Sequence, residues 1–288
     1  MSALSIKGLS KSYRGMKLQK IPALVGLDLE IATGEVFGFL GPNGAGKSTT
    51  IKSIMGLIRP SAGSVMVFDT SATNPDSRRR IGYLPENPSF FDFMTAREYL
   101  AFVGVTYGMD RMTMQKETER VLELLDLTGA ADRPIKGYSK GMVQRLGLGQ
   151  VLVHDPDMYI LDEPMSGLDP IGRALVKDII RDLKLRGKTV FFSTHITTDV
   201  EAVCDRVGVI SKGVLEAVDS VDSILEKGVI GFTITYCSPD GQDEEKQVSP
   251  EELDAIIRQL LESRAVIKGV EPKRKDMESF FLAVVSRS

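Results

Sequence analysis

The sequence predicts an α/β fold on a largely parallel sheet, and three observations carry that expectation. Short apolar runs alternate with helical patterns over roughly the first three quarters of the chain. One run, Val36–Leu40, stops at a glycine-rich loop that leads straight into a helical pattern. Residues 93–153 carry successive helical stretches with no clear strand between them, which reads as a helical insertion between sheet elements.

In chain order, the helix after the glycine loop is read over 47–57, where Ile51, Ile54 and Met55 recur at helical spacing. Apolar runs at 65–68, 81–84, 158–161, 190–192 and 207–210 read as buried strands. Val121, Leu122 and Leu125 form one helical stripe, and Leu175, Ile179 and Leu183 another. Past residue 228 the pattern changes. Ile230, Phe232, Ile234 and Tyr236 alternate with Gly231, Thr233 and Thr235, a half-buried strand, and the turn Ser238-Pro-Asp-Gly241 follows. Leu253, Ile256, Ile257, Leu260 and Leu261 match an amphipathic helix, as do Met277, Phe280, Phe281 and Val284. The expected organisation is a main domain over 1–228 and a small α+β C-terminal extension over 229–288. That extension is small for an independent core, so it is expected to pack on the main domain or on a second copy.

Composition narrows the function classes. The 288 residues carry 36 Lys and Arg against 39 Asp and Glu, a net charge of -3, so no basic excess favours nucleic acid or an anionic membrane surface. Small ligands and protein partners remain. Cys204 and Cys237 stand apart with no CxxC and no nearby histidine cluster, which argues against a disulfide framework or structural zinc and fits a reducing compartment. The start lacks a signal-peptide core, and no stretch reaches about 18 uncharged apolar residues. If this protein works at a membrane, another chain is expected to hold it there.

The run Gly41, Pro42, Asn43, Gly44, Ala45, Gly46, Lys47, Ser48, Thr49 fits G-x-x-x-x-G-K-[ST] in the setting that motif requires, after a strand and before a helix. Glycines let backbone N–H groups converge on a polyphosphate without Cβ clashes. The helix presents its partial positive charge to the same anion. Lys47 supplies a full charge for the β- and γ-phosphates, and Ser48 a hydroxyl for Mg²⁺.

Residues 157–164 form an apolar strand ending in Asp162 and Glu163. Buried carboxylates are costly unless they bind something. Asp162 at a strand's C-terminal end is placed to hold Mg²⁺ directly or through water, and Glu163 to orient and deprotonate a water. Standing alone, such a pair is an ordinary solvated turn often enough; the phosphate loop tips the balance.

Several further motifs appear in one order. Tyr138-Ser139-Lys140-Gly141-Met142, followed by Val143-Gln144-Arg145, lies just upstream of the acidic strand, then come Ser166-Gly167-Leu168-Asp169 and Ser193-Thr194-His195. With Tyr13 in Lys11-Ser-Tyr, these resemble the ATP-binding subunit of ABC transporters over residues 1 to about 220. The resemblance implies a P-loop NTPase core that binds ATP and Mg²⁺ and hydrolyses ATP. It implies that Tyr13 stacks on adenine and that His195 contacts the γ-phosphate and helps position the attacking water. It also implies that Ser139 and Gly141 of one copy close on the γ-phosphate held by another, in a head-to-tail homodimer. Read by itself, Ser139 before a helical run is more often a plain N-cap. His154 has no such motif around it and reads as structural.

The chain departs from the family pattern in places. Tyr138, Lys140 and Met142 replace Leu, Gly and Gln of the common signature, Glu86 replaces the usual switch glutamine after Gly82-Tyr-Leu-Pro, and residues 14–22 lengthen the segment after Tyr13. Two roles stay open for Glu86, as a Mg²⁺ ligand or as a link to a partner. These variants and the tail resemble the ATPases of type 2 exporters, including drug and antibiotic efflux relatives. The implied function is to power export by a membrane-spanning permease from its cytoplasmic face; the alternative is an ATPase of the same type in assembly or scaffolding. Phe90, Phe91 and Phe93 read equally as core or as the lip of a groove that receives a cytoplasmic helix of the membrane partner. A chromosome-organising relative would need a coiled-coil insertion before the signature, and none is present.

Overall fold

A computed structural model describes residues 2–14, 19–226, 229–274 and 276–286. Residues 15–18, within the lengthened segment after Tyr13, and residues 227 and 228 lie outside the described residues. The chain divides into two compact units between Val218 and Asp219.

The first unit opens with β1 (Ser2–Arg14) and β2 (Lys20–Ala32), an antiparallel pair. β3 (Val36–Leu40) then runs into the glycine loop and α1 (Lys47–Ile54). The helix ends before the expected residue 57 because Gly56 adopts φ 63, outside the right-handed region. β4 (Ala62–Val67) pairs with β1, and the short β5 (Thr70–Ser71) pairs with β4, giving a sheet of order β2-β1-β4-β5. β6 (Ile81–Leu84) follows.

The helical block is then α2 (Ala96–Thr106), α3 (Arg111–Leu124) and α4 (Lys140–Leu152). Thr95 and Glu98 close a reciprocal capping box at the start of α2, and Asp110 caps α3. Val121, Leu122 and Leu125 are all buried, as their spacing requires. Met109 and Met114 pack at Gly104, where an added Cβ would stand 2.8 Å from Met114 Cγ.

The chain re-enters the core as β7 (Met158–Asp162), α5 (Pro170–Leu185), β8 (Thr189–Thr194), α6 (Thr197–Val203), β9 (Arg206–Ser211) and β10 (Val214–Ser220). The six-stranded sheet has order β10-β9-β3-β8-β7-β6, and its β9–β3, β3–β8, β8–β7 and β7–β6 pairs are parallel. Every residue of β3, β7 and β8 is buried, so these strands are covered on both faces rather than alternating between core and solvent. Register sets the site: Leu40 pairs with Thr194, and Asp162 with Ser193. The C-terminal ends of β3, β8 and β7 therefore stand side by side, at the edge where open α/β sheets bind ligands.

The second unit holds α7 (Val221–Glu226), β11 (Val229–Cys237), β12 (Asp243–Val248), α8 (Leu253–Glu262), β13 (Val266–Arg274) and α9 (Met277–Val285). Its strands form an antiparallel sheet of order β12-β11-β13, with Ile234, Val248 and Leu260 at the centre of its small core. The division falls upstream of the expected residue 228 because α7 packs with α9 and so belongs to this unit.

Candidate active site

The loop after β3 works through what its glycines allow. A Cβ on Gly41 would stand 2.5 Å from the Ile210 carbonyl oxygen, and one on Gly46 would stand 2.8 Å from that of Ala23. Gly46 also adopts φ 115 as the N-cap of α1, a conformation open essentially to glycine alone. The loop backbone thus lies against its neighbours and leads into a helix start whose first N–H groups have no intrahelical acceptor. A cavity of ≈ 290 Å³ opens there, walled by Ala23, Asn43, Gly44, Gly46, Lys47, Ser48, Thr49, Glu86 and Glu163.

Lys47 is buried, and its Nζ donates to the Gly41 carbonyl at 2.7 Å and the Pro42 carbonyl at 3.3 Å. Glu163 Oε1 lies 3.2 Å from the same Nζ. On the other side, Glu163 Oε2 meets His195 Nδ1 at 3.0 Å. A carboxylate only accepts, so this contact places the proton on Nδ1.

Glu163 adopts φ 50, a left-handed conformation that costs an L-residue about 1–2 kcal/mol. It is held there from both sides. Its N–H faces the Ser193 carbonyl at 3.2 Å and Ser193 Oγ at 3.1 Å, and its carbonyl accepts from Ser166 N–H at 3.0 Å. Ser193 Oγ also donates to the buried Asp162 Oδ1 at 2.5 Å. Burial, and then the negative charge of Asp162, push the Tyr83 phenol up to about 12. Ser193 was not legible as a site residue, although a hydroxyl within an apolar strand is a signal, since buried polar groups need partners.

Glu163 Oε1 is buried and receives no hydrogen bond despite the nearby ammonium. An acceptor left open at the wall of a cationic, glycine-lined cavity suits a water beside an Mg²⁺–phosphate group. Ser48 and Glu86 share that wall, while Asp162, the buried last residue of β7 and neighbour of Glu163, does not line it. Among the described residues no cluster of three or more His, Cys, Asp or Glu side chains forms a cation cage. Mg²⁺ commonly keeps several waters and takes one or two carboxylates plus phosphate oxygens, so this donor set fits it.

The other expected site residues lie apart from the cavity wall. Ser139 is exposed and caps α4, its Oγ accepting from Met142 N–H at 3.3 Å. Gly141 faces Leu168, and Lys140 lies across Gly167, where an added Cβ would stand 2.7 Å from Lys140 Cε. Tyr13 sits in β1 opposite Ile21, its ring half exposed, with Lys11 Nζ 5.3 Å from the ring centre. Phe91 and Phe93 are 52% and 78% exposed, so they form a surface rather than core; Phe91 packs against Phe93 and Phe102 at 5.8 and 6.3 Å between ring centres. His154 stacks on Tyr107 at 3.6 Å, and burial pushes its imidazole down to about 4.

Comparison with known proteins adds a second line. The ABC transporter family model matches residues 24–166. An uncharacterised ABC transporter ATP-binding protein of Synechocystis is 43% identical over 75% of this chain, and the match spans 62% of that relative's length. YhcH of Bacillus subtilis, described in the same terms, is 33% identical over 100% of this chain and 97% of its own. A fluoroquinolones export ATP-binding protein of Mycobacterium tuberculosis is 40% identical over 69% of this chain and 65% of its own. A solved ATP-binding subunit of an ABC transporter superposes with a TM-score of 0.71 at 29% identity, covering 77% of this chain and 91% of its own.

Proposed function

Because the chain belongs to the ABC transporter family and carries its ATP-binding ATPase core, we propose that it powers export through a membrane-spanning partner. The observation that carries the hydrolysis at the centre of this reading is the buried Glu163 carboxylate, held between Lys47 and His195 at the wall of the phosphate-sized cavity.

In this reading Lys47 turns from Glu163 to the β- and γ-phosphates, while the loop N–H groups hold the rest of the chain of phosphates. Ser48 and Asp162 would hold Mg²⁺, which when bound would offset the charge that develops on the phosphate oxygens. Glu163 accepts the proton of the attacking water through the oxygen that Lys47 has left. His195 fixes the carboxylate through Oε2 and so keeps the accepting oxygen aimed.

Ser139 and Gly141 stand away from the cavity of their own chain, which supports their use across a homodimer, on the phosphate held by the other copy. A membrane permease supplies the export path, since among the described residues no helix is long and apolar enough to cross a membrane. The exposed Phe91 and Phe93, beside a ≈ 480 Å³ cavity where Phe90 and Ile135 are mixed with Ser89, Asp92 and Lys136, offer it a seat with apolar anchors and a polar surround. The export direction draws on the likeness to the fluoroquinolones export protein. Co-expression with a six-helix membrane protein tests this: co-purification and faster ATP hydrolysis support export, and hydrolysis with no membrane partner favours the assembly role instead.

A further inference from the structure

Gln144 is 4% exposed and sits on α4, yet its side-chain amide reaches out of that helix. Nε2 donates to the Pro164 carbonyl at 3.2 Å and to the Glu163 carbonyl at 3.4 Å. An amide nitrogen has two protons, so one group can serve both acceptors. The peptide it clamps is the one that follows the left-handed Glu163. Such a conformation persists only where the surroundings over-determine it. The amide side of Glu163 is fixed by Ser193 and the carbonyl side by Ser166 and Gln144.

Gln144 lies three positions past Gly141, which puts both on one face of α4. That face leans on the loop carrying Gly167 and Leu168. We propose that Gln144 is a positioning residue: it ties the helix that begins at Ser139 to the main chain of Glu163 within one copy. A phosphate bound at the start of α4 then bears on the carboxylate of the same chain, through one side chain and two carbonyls. This rests on the reading of Glu163 as the base for water.

The test is steady-state ATP hydrolysis by the full chain with Mg²⁺, for Gln144→Leu and Gln144→Glu, each also in a Glu163→Gln background. A misplaced base is expected to lower kcat by about 10- to 100-fold while KM for ATP stays within about twofold. Gln144→Glu has the same shape but no donor when ionised. Its rate relative to wild type is expected to climb as pH falls and its carboxyl gains a proton to donate. In the Glu163→Gln background, Gln144→Leu is expected to change the residual rate less than about twofold, because the group it positions is already gone. An equal loss in both backgrounds, or a raised KM with unchanged kcat, overturns the proposal. If Gln144→Leu does not fold, Gln144→Asn, which keeps the amide but shortens its reach, is read against the same two outcomes. Full turnover by Glu163→Gln alone would instead remove the base reading, and the proposal with it.

Discussion

Lys47 Nζ and Glu163 Oε1 lie 3.2 Å apart, so the cation that suits phosphate and the carboxylate that suits water are paired with each other. Both side chains are nearly buried, which makes the pair sensitive to the loss of one member. In the proposed mechanism nucleotide binding exchanges this contact for a Lys47–phosphate contact, and the exchange frees the carboxylate oxygen.

That pairing makes a stability prediction. Lys47→Ala leaves a buried carboxylate with His195 alone and is expected to destabilise the nucleotide-free chain by about 3 kcal/mol. Adding Glu163→Gln to it is expected to restore most of that loss, because the uncompensated charge is removed. Urea midpoints of the two single variants and the double variant measure the coupling. Additive losses would mean the two side chains are not paired.

Gly141 offers a test of the composite site. A Cβ added there would stand 3.7 Å from Leu168 Cδ2 and 4.0 Å from the Gly167 carbonyl oxygen, ordinary contact distances, so the fold is expected to tolerate an aspartate. A carboxylate facing the other copy's γ-phosphate is expected to abolish ATP-driven dimerisation by like-charge repulsion. Light scattering reads the outcome directly, and a normal ATP-dependent dimer would count against use of this helix start across the interface.

Much of this site was legible because its chemistry is local in sequence. The loop from Gly41 to Thr49 and the acidic end of β7 each point to their chemistry within a few residues, whereas His195 was singled out only through the family resemblance. Other features are not local. Ser193 serves Asp162 and Glu163 only because β7 and β8 are neighbours in register. Gln144 reaches Glu163 only once α4 has packed beside the loop after β7. The paired strands β1 and β2 went unread as well, although Leu27, Leu29 and Ile31 of β2 are buried in alternation with the exposed Asp28, Glu30 and Ala32, a period-2 signal the sequence did offer. β12 hides for another reason: Asp243–Val248 is an edge strand, exposed and charged, with only Val248 buried.

Glu86 shares the cavity wall with Lys47 and Ser48, and it is exposed in the segment between β6 and the aromatic residues that begin at Phe90. We expect it to transmit to the partner rather than to bind metal, since a further carboxylate beside a triphosphate adds repulsion. Glu86→Gln is then expected to keep isolated ATP hydrolysis within about twofold and to lose stimulation by the membrane partner. A large loss in the isolated chain that extra Mg²⁺ rescues would assign it to the metal instead.

His154 sets a pH dependence of stability. Burial pushes its imidazole from an ordinary 6.5 down to about 4, with Asp155 opposing the shift and Lys188 adding to it. Between those values the unfolded chain binds the proton and the folded chain does not, so stability falls as pH drops from 6.5 to about 4. His154→Phe keeps a ring against Tyr107 and removes the titration. Its thermal midpoint is expected to depend less steeply on pH across that window, and parallel profiles would contradict the assignment.

The most direct test of the account is single-turnover hydrolysis of Mg²⁺-ATP by Glu163→Gln. Gln at this position keeps the shape of the side chain but cannot accept the water's proton as a base. The expected result is undiminished ATP binding, hydrolysis at least about 100-fold slower than wild type, and accumulation of an ATP-bound dimer. Hydrolysis at the wild-type rate would contradict the central claim that the carboxylate between Lys47 and His195 activates the water.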